Sequence, residues 1–542
     1  MALDTFNKRS RPLIFRQLAA EKFDLLVIGG GITGASVFRD AALRGMRVAL
    51  VEAKDFASAT SGRSSKLIHG GLRYIKNLGL GLAWESCHER NLHIRLNKRL
   101  VRPLPFLVPL YGRQRFLMRL GMLAYEALSG FNNYRFHSFL SREETLSLAP
   151  ALPAHGLTGG CLYYDAVIND SRWTMEVLKD GVANGGIAVN YAPVTELLSE
   201  NGQVRGARIH DELSGSDHDI RARVVVNATG IFTDQIQRLG GDRTAQPKRL
   251  SKGTHLVFAE ADVPLSTTIV FSSPLDGRSL FLAKHEECFL YGTSDHWEEA
   301  NPDLPVPAAT DVDYLLASLN RFMPEAQLDR SKVQFVYSGF RPLFANDSRK
   351  SKPSKVTRAD HIEVSAAGLL SVTGGKLTTA RITAERVLER VVKLIGRDRS
   401  WSNCKTHRVS IGGTNEAVAE SLAYWVRRCP RLTSYFRVLY QRYGLDANEI
   451  CGEVVRLEGA DPTAEPIRAE VQYVCRHEMV CTLEDLIDRR AGFLYWNAEK
   501  RLERLRYGAQ VIRAELDLSE AEFESQWLAY REHLTRFHSL PE

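Results

Sequence analysis

Three glycines, Gly29, Gly31 and Gly34, stand at the spacing G-x-G-x-x-G, and a carboxylate, Glu52, follows about 20 residues later. Each position has its own physical reason. The first glycine allows a tight turn, the second lets a pyrophosphate approach the backbone, and the third lets a helix pack closely on a strand. The N-terminus of that helix offers unpaired N–H groups and the positive end of a dipole to phosphates. A carboxylate at the end of the next strand accepts hydrogen bonds from ribose hydroxyls. The pattern reads as a dinucleotide site but does not by itself separate NAD from FAD.

A second glycine run, Gly374-Gly375-Lys376-Leu377-Thr378-Thr379, bears on that choice. It predicts a glycine-started helix with Lys376 in its first turn, where positive charge stabilises the anionic side of a reduced flavin. Nicotinamide does not become anionic on reduction, so Gly375, Lys376 and Leu377 favour FAD. The plainer reading is an ordinary strand-to-helix turn with a solvated lysine. Gly230, closing the apolar run Val224–Gly230, marks a third strand-to-glycine junction.

Between these lies Thr60-Ser61-Gly62-Arg63-Ser64-Ser65-Lys66-Leu67-Ile68-His69-Gly70-Gly71-Leu72-Arg73-Tyr74. Its hydroxyls and amides suit a cofactor pyrophosphate, and Arg73 has the guanidinium fork that grips a phosphate. Arg341, between Gly339-Phe340 and Pro342, is a second cation for such a group. His69 and His255, the latter in Lys252-Gly253-Thr254-His255, sit on glycine-flanked segments rather than helix faces, which singles them out among 15 histidines. Against each stands a simpler possibility: a solvated serine-rich loop, a surface arginine, a structural histidine.

The elements that must position these residues follow from hydrophobic patterning. Phe23–Ile28 and Arg47–Glu52 read as buried strands around a helix from Ile32 to about Arg44, a βαβ unit. Ala384, Val387, Leu388, Val391, Val392 and Ile395 repeat at helical spacing. Strand-like runs at 267–271 and 288–292 predict an antiparallel substrate domain inserted between segments of the nucleotide-binding one. The fold class expected is α/β plus α+β: a Rossmann-like FAD-binding domain, an inserted antiparallel-sheet domain and a C-terminal helical domain. The divisions read as a tail over 1–20, FAD-binding segments over 21–100, 151–240 and 351–398, a membrane-associated or substrate-domain segment over 101–150, a substrate domain over 241–350, and helices over 399–542.

Composition bounds the function. The chain has 542 residues, 44% of them apolar and 25% charged, and a net charge of +7. That is a folded, enzyme-sized protein; the charge is too modest to imply nucleic acid but is compatible with an anionic substrate or membrane surface. Eight cysteines are scattered without metal-ligand spacing, so no metal is expected and a reducing compartment fits. No signal-peptide core and no spanning apolar stretch is read. Residues 113–127, with Arg113, Arg115 and Arg119 beside Phe116, Leu117, Leu120 and Leu123, form a basic amphipathic helix. It either lies on an anionic bilayer or packs its apolar side on the core.

The segments VIGGGITGA, TSGRSSKLIHGGLRY, Tyr163 to Arg172, VVNATG, KGTH, YSGFRPL, GGKLTT and the closing Asp488-Arg489-Arg490 resemble those of the FAD-dependent, quinone-linked glycerol-3-phosphate dehydrogenases, from Phe23 to about Trp496. The resemblance implies that Gly29, Gly31, Gly34, Glu52, Thr60, Ser61, Ser64, Ser65, Lys66 and Leu67 hold FAD, with Lys376 and Leu377 beside the isoalloxazine. It implies that Arg73, Tyr74 and Arg341 hold substrate phosphate, with Lys376 at the substrate end, and that His69 and His255 lie near the reacting carbinol. It further implies glycerol 3-phosphate as substrate, a membrane quinone as acceptor, a peripheral place on the inner face of the cytoplasmic membrane and compatibility with a homodimer. The strand Phe281–Glu287 departs from the family pattern, with Lys284 and His285 where an apolar run with proline and tryptophan is usual, so another phosphorylated or carboxylated alcohol or amine stays open. An oxidase that uses oxygen and a non-catalytic flavoprotein scaffold stay open as well.

Overall fold

Lys22–Ile28 is buried from Phe23 onward, as a strand covered on both faces by helices must be. In the computed structural model, which describes residues 5–72, 79–241, 250–298, 305–343, 359–457, 465–491 and 508–541, it is central to an eight-stranded sheet. The strand pairs in parallel with Val48–Val51 on one side and with Ser216–Asn227 on the other. Leu370–Gly374 joins in parallel beyond Asn227, and Asp360–Val364 closes that edge in antiparallel sense. Strands from three distant parts of the sequence therefore end side by side, each at a glycine-containing turn. Helices Ile32–Leu43, Asp170–Ala183 and Ala380–Ile395 share one apolar core with this sheet.

Of the expected tail over 1–20, the described residues 5–20 are part of the fold. Arg11–Ala20 is a helix that buries Ile14, Phe15 and Leu18 in the core of the first sheet. Its Arg11 guanidinium is buried on Asp211 at 2.5 Å.

A second sheet has ten strands. Leu250–Ala259 lies at its heart, antiparallel to both Cys288–Gly292 and Val333–Arg341. The expected division at residue 151 does not follow the sheets. Leu157–Val167 pairs with Arg102–Tyr111 along almost its whole length and belongs to the second sheet. Arg102–Tyr111 is obscured in the sequence by Pro103, Pro105 and Pro109. All three occupy alternate positions, so their missing N–H groups share one edge and leave the donors of the other intact.

From Asn415 onward the described residues form helices around a separate apolar core, ending in Glu520–His538. Charged groups fasten this region to the nucleotide-binding one. Arg489 Nε and Arg490 Nη2 reach Asp55, just beyond Glu52, at 2.5 and 2.6 Å. Arg172 and Lys179 share Glu478, all three buried. Removing one partner from such a buried network is costly, about 3–5 kcal/mol, because it strands the others.

Candidate active site

The two sheets enclose a cavity of about 1320 Å³, larger than the roughly 300–1,000 Å³ of sites for drug-sized ligands. At one end it is walled by Gly29, Gly31, Ile32, Thr33 and Glu52, at the other by His69, His255 and Arg341, with Gly230, Gly375, Lys376 and Leu377 also on the wall. Nearly every residue singled out in the sequence is thus brought to one space. Arg73 and Tyr74 lie outside the described residues.

The glycine end works by the side chains it lacks. A Cβ on Gly34 would stand 1.9 Å from the carbonyl oxygen of Gly29, and Gly29 itself has φ +110. Gly34 therefore sets the contact between helix and strand and does not face the cavity. A Cβ on Gly31 would come within 3.0 Å of Ser61 Oγ and project where the cavity now runs. Glu52 accepts the N–H of Gly30 at 2.5 Å on one oxygen and that of Lys54 at 2.9 Å on the other. Each oxygen keeps a further lone pair for a hydroxyl. Burial pushes its pKa up, against the opposing pull of those two amides. This donor and acceptor set fits the ribose-pyrophosphate part of FAD.

The hydroxyl-rich loop binds protein as much as cavity. Ser61 Oγ takes the first N–H of the helix, that of Ile32, at 2.8 Å. Thr60 donates to the carbonyl of Phe340 at 2.8 Å, linking the loop to the second sheet. Ser64 binds Asp170 through both its amide and its hydroxyl. Ser65 Oγ lies 2.8 Å from His255 Nε2, and Leu67 lines the cavity.

Lys66, which the resemblance puts among the residues that hold FAD, does not line the cavity with its side chain. It is completely buried, paired with Asp170, and its ammonium also donates to the carbonyl of Gly62 at 3.2 Å. A desolvated lysine needs a carboxylate, and Asp170 supplies it from the start of the helix Asp170–Ala183. Lys66 is thus a tie beneath the loop and not a wall of the cavity.

A second correction concerns Lys376. Gly374 and Gly375, at φ +77 and +81, turn the chain, but the helix starts only at Ala380. Lys376 precedes it by a full turn and donates to Ser86 Oγ at 2.8 Å. Lys376 lines the cavity, but not from the first turn of a helix.

At the far end, Arg341 is enclosed by its own domain. Its Nη1 lies 2.9 Å from both Asp295 and Ser251 Oγ, and its Nη2 donates to Thr293 Oγ1 at 3.0 Å. Gly253 makes this possible, since a Cβ there would meet Nη2 at 2.1 Å. Gly253 faces Gly339 across the strand pair, and a Cβ on Gly339 would meet the Arg63 carbonyl at 2.8 Å. Two facing glycines thus leave room for two arginines.

Arg63 is a cavity-lining cation that the sequence does not single out. Its Nη1 is buried with no hydrogen-bond partner among the described residues, and burial pulls its pKa down. In the sequence it is one charged residue in a polar loop; the want of a partner for its buried nitrogen is a tertiary fact.

His255 stacks on Tyr337 with ring centroids 4.8 Å apart and planes 9° apart. Burial, with Arg341 and Lys66 nearby, lowers its pKa to about 3, so the ring is neutral at physiological pH. Its Nδ1 is buried and has no hydrogen-bond partner among the described residues. An orphaned buried nitrogen is costly to keep without a ligand to meet it. His285, in the departing strand, is buried behind the cavity and faces the carbonyl of Ile168 at 3.1 Å; it is absent from the cavity wall.

In the helix Gln114–Leu128, Met118, Met122 and Tyr125 pack into an apolar core cluster, and the apolar residues singled out in the sequence face outward. Phe116 and Leu117 are 71% and 74% exposed, and Leu120 and Leu123 are also exposed, while Met122 and Tyr125 are buried. Leu117, Met118 and Gly121 at the same time line the cavity. Among the described residues no helix is long and apolar enough to cross a membrane.

The profile of the FAD dependent oxidoreductases matches residues 24–390. The chain belongs to that family. Residues 404–523 match the C-terminal domain of alpha-glycerophosphate oxidase. Aerobic glycerol-3-phosphate dehydrogenase of Staphylococcus haemolyticus is 31% identical over 92% of this chain and 91% of its own length. That of Staphylococcus aureus is 31% identical over 97% and 96%. The glycerol-3-phosphate dehydrogenase of Bacillus halodurans, solved with FAD, superposes with a TM-score of 0.82 at 28% identity over 98% of both chains. FAD is therefore the cofactor for which the glycine end of the cavity is built. L-alpha-glycerophosphate oxidase of Mycoplasma pneumoniae shares the fold, with a TM-score of 0.54 at 16% identity over 72% of this chain and 98% of its own.

Proposed function

We propose that this member of the FAD dependent oxidoreductases oxidises the secondary alcohol of sn-glycerol 3-phosphate to dihydroxyacetone phosphate and passes the electrons to a quinone at a membrane surface. The observation that carries the reading is the single cavity with a dinucleotide cradle at one end and cations plus a neutral imidazole at the other. The names of the full-length relatives supply the substrate. Bound FAD supplies the two-electron acceptor.

In this reading Gly29, Gly31, Gly230 and Gly375 let the cofactor approach backbone, and Glu52 holds ribose. Arg341, Arg63 and Lys376 gather the phosphate, with Arg73 and Tyr74 assigned to the same task by resemblance. Anchoring the phosphate on C3 fixes the adjacent carbinol carbon, C2, the middle one of a three-carbon substrate, which is how binding energy becomes orientation. His255 accepts the hydroxyl proton: it is already neutral, and a dianionic phosphate beside Arg341 offsets the charge that depresses its basicity. His69, on the same wall, is the second candidate for this role. The exposed Phe116, Leu117, Leu120 and Leu123 with Arg113, Arg115 and Arg119 form the bilayer-facing surface. Since that helix also walls the cavity, an apolar acceptor has a direct approach from lipid.

Anaerobic addition of glycerol 3-phosphate to the purified flavoprotein is expected to bleach the flavin band; a band left unbleached overturns the substrate. Oxidation of the reduced enzyme by a soluble quinone in preference to oxygen tests the acceptor. Flotation with anionic liposomes, reduced in Leu117→Glu, tests the membrane surface.

A further inference from the structure

Outside the cavity's chemistry, one cluster has no role in the reading above. Asp488, His533 and His538 present one ligand atom each, all within 4.8 Å of one another. His533 Nε2 lies 3.1 Å from Asp488 Oδ2 and 3.2 Å from His538 Nε2, and His538 Nε2 lies 3.7 Å from the same oxygen. We propose that these three side chains form a structural binding site for one divalent transition-metal ion, zinc by its donor set, which clasps the C-terminal helix to the body of the enzyme.

The separations favour a metal. Three donors of a tetrahedral ion with bonds of about 2.0–2.1 Å stand about 3.3 Å apart, and the observed triangle leaves a point at about that bond length from all three atoms. Two imidazoles and one carboxylate are a donor set suited to zinc, with the fourth position left for water.

The surrounding partners favour it equally. A ligating histidine ordinarily gives its other ring N–H to a carbonyl or carboxylate, which fixes the tautomer and leaves the ligating nitrogen's lone pair free. His538 Nδ1 lies 3.3 Å from the carbonyl of Val336. His533 Nδ1 lies 3.4 Å from Glu484. The remaining oxygen of Asp488 accepts the hydroxyl of Tyr530 at 2.8 Å. Both Nε2 atoms and one carboxylate oxygen are therefore turned to a common point, while every other side-chain polar atom of the three is committed elsewhere. A proton-only network has no need to bring two Nε2 atoms face to face, where only one of them can donate to the other.

The placement gives the site its purpose. Asp488 adjoins Arg489 and Arg490, which hold Asp55 beneath the nucleotide end. His538 stacks on Phe335 of the strand that leads to Arg341, with centroids 4.3 Å apart. His533 itself and, between the two histidines, Arg536 and Phe537 reach the cavity wall, and Arg63 lies over the Phe537 ring at 5.4 Å. A metal here joins three regions of the molecule at the edge of the cavity, and its loss frees the final turns of the helix.

The test uses the full-length flavoprotein, purified without a histidine tag, stripped with a chelator and titrated with zinc chloride. One zinc per chain retained through gel filtration, with a rise in melting temperature, is expected. His533→Ala should abolish both. Tyr530→Phe, which keeps the fold's apolar contacts, should weaken zinc binding by about 10–100-fold, the usual cost of losing a partner of a ligand. Absence of retained zinc in the native chain, or equal zinc in His533→Ala, overturns the site. Should His533→Ala fail to fold, unchanged affinity in Tyr530→Phe overturns it instead. Flavin reduction by substrate is a separate readout, so neither result depends on the proposed activity.

Discussion

At the Gly29–Gly34 end of the cavity the backbone does the holding, whereas at the Arg341 end side chains hold one another. The first end depends on side chains that are missing: Gly34 brings helix against strand, and Gly31 leaves the approach clear. The second depends on polar groups that are already matched, with Arg341 fastened to Asp295, Ser251 and Thr293 and with His255 stacked on Tyr337. A backbone cradle is specific for the shape common to all dinucleotides. Matched side chains are what distinguish one substrate from another, because an ill-fitting ligand leaves buried charges unpaired.

That contrast is broken most severely from the glycine end. Gly34→Val inserts atoms where a Cβ already meets a carbonyl oxygen at 1.9 Å, so helix and strand must separate. The variant is expected to purify colourless, measured as flavin per protein chain. Gly215→Ala is the matching control: it lies off the cavity wall, no atom lies within 4 Å of the added Cβ, and only the φ of +71 is strained, at about 1–2 kcal/mol. It should stay yellow.

The next effect belongs to the other end. His255→Ala should keep its flavin yet slow anaerobic flavin reduction by about 10²–10⁴-fold, the usual worth of a positioned base. The same loss in His69→Ala, with His255→Ala unaffected in stopped-flow measurements, would move the proton to the other imidazole.

The two ends also differ in how far the sequence discloses them. The glycine spacing, the following acid and the strand–helix–strand frame are local, so short-range patterning suffices to read them. Lys66 counts as a cofactor contact by resemblance alone, and nothing local in the sequence tells that Asp170 waits beneath it. Arg63 escapes notice because the partnerless burial of its Nη1 exists only after folding. The helix at 114–128 admits two readings until its surroundings leave Phe116 and Leu117 bare. Asp488 and His533, 45 positions apart, meet only through the docking of the last helix. The strand Arg102–Tyr111 is hidden by prolines that a sheet tolerates when they share an edge.

Arg341→Ala is expected to raise the KM for glycerol 3-phosphate by about 10–100-fold with a smaller change in kcat, since a hydrogen bond to a charged group contributes about 1.5–3 kcal/mol. It also leaves the nearly buried Asp295 without its guanidinium. Adding Asp295→Asn should recover thermal stability without recovering KM, which separates the substrate contact from the structural one. Recovery of both would reduce Arg341 to a scaffold residue and erase the distinction between the ends.

The smallest effect is a pH dependence shared by both ends. Burial lowers the pKa of His93, packed beneath the first sheet, to about 3, as it does for His255 on the substrate side. An unfolded histidine titrates near 6.5. Between about pH 6.5 and 3 the unfolded chain therefore binds protons that these folded rings refuse, and stability falls as pH drops through that window, by up to about 1.4 kcal/mol per pH unit for each ring. Carboxylates held low by cations, such as Glu176 with Lys179 and Arg99, lose their contribution progressively as pH falls from the ordinary carboxylate range downward. Buried carboxylates held high, such as Glu52, also move toward the interval from about 6.5 to 5, so what reports on one ring there is the change made by substituting it. Urea midpoints measured across that interval should fall with acidification, and His255→Gln should flatten the slope by one ring's share while leaving that of His93. An unchanged slope in that variant would mean that the His255 ring admits a proton in the folded state, and with it that the substrate end is more open to water than the stacking on Tyr337 allows.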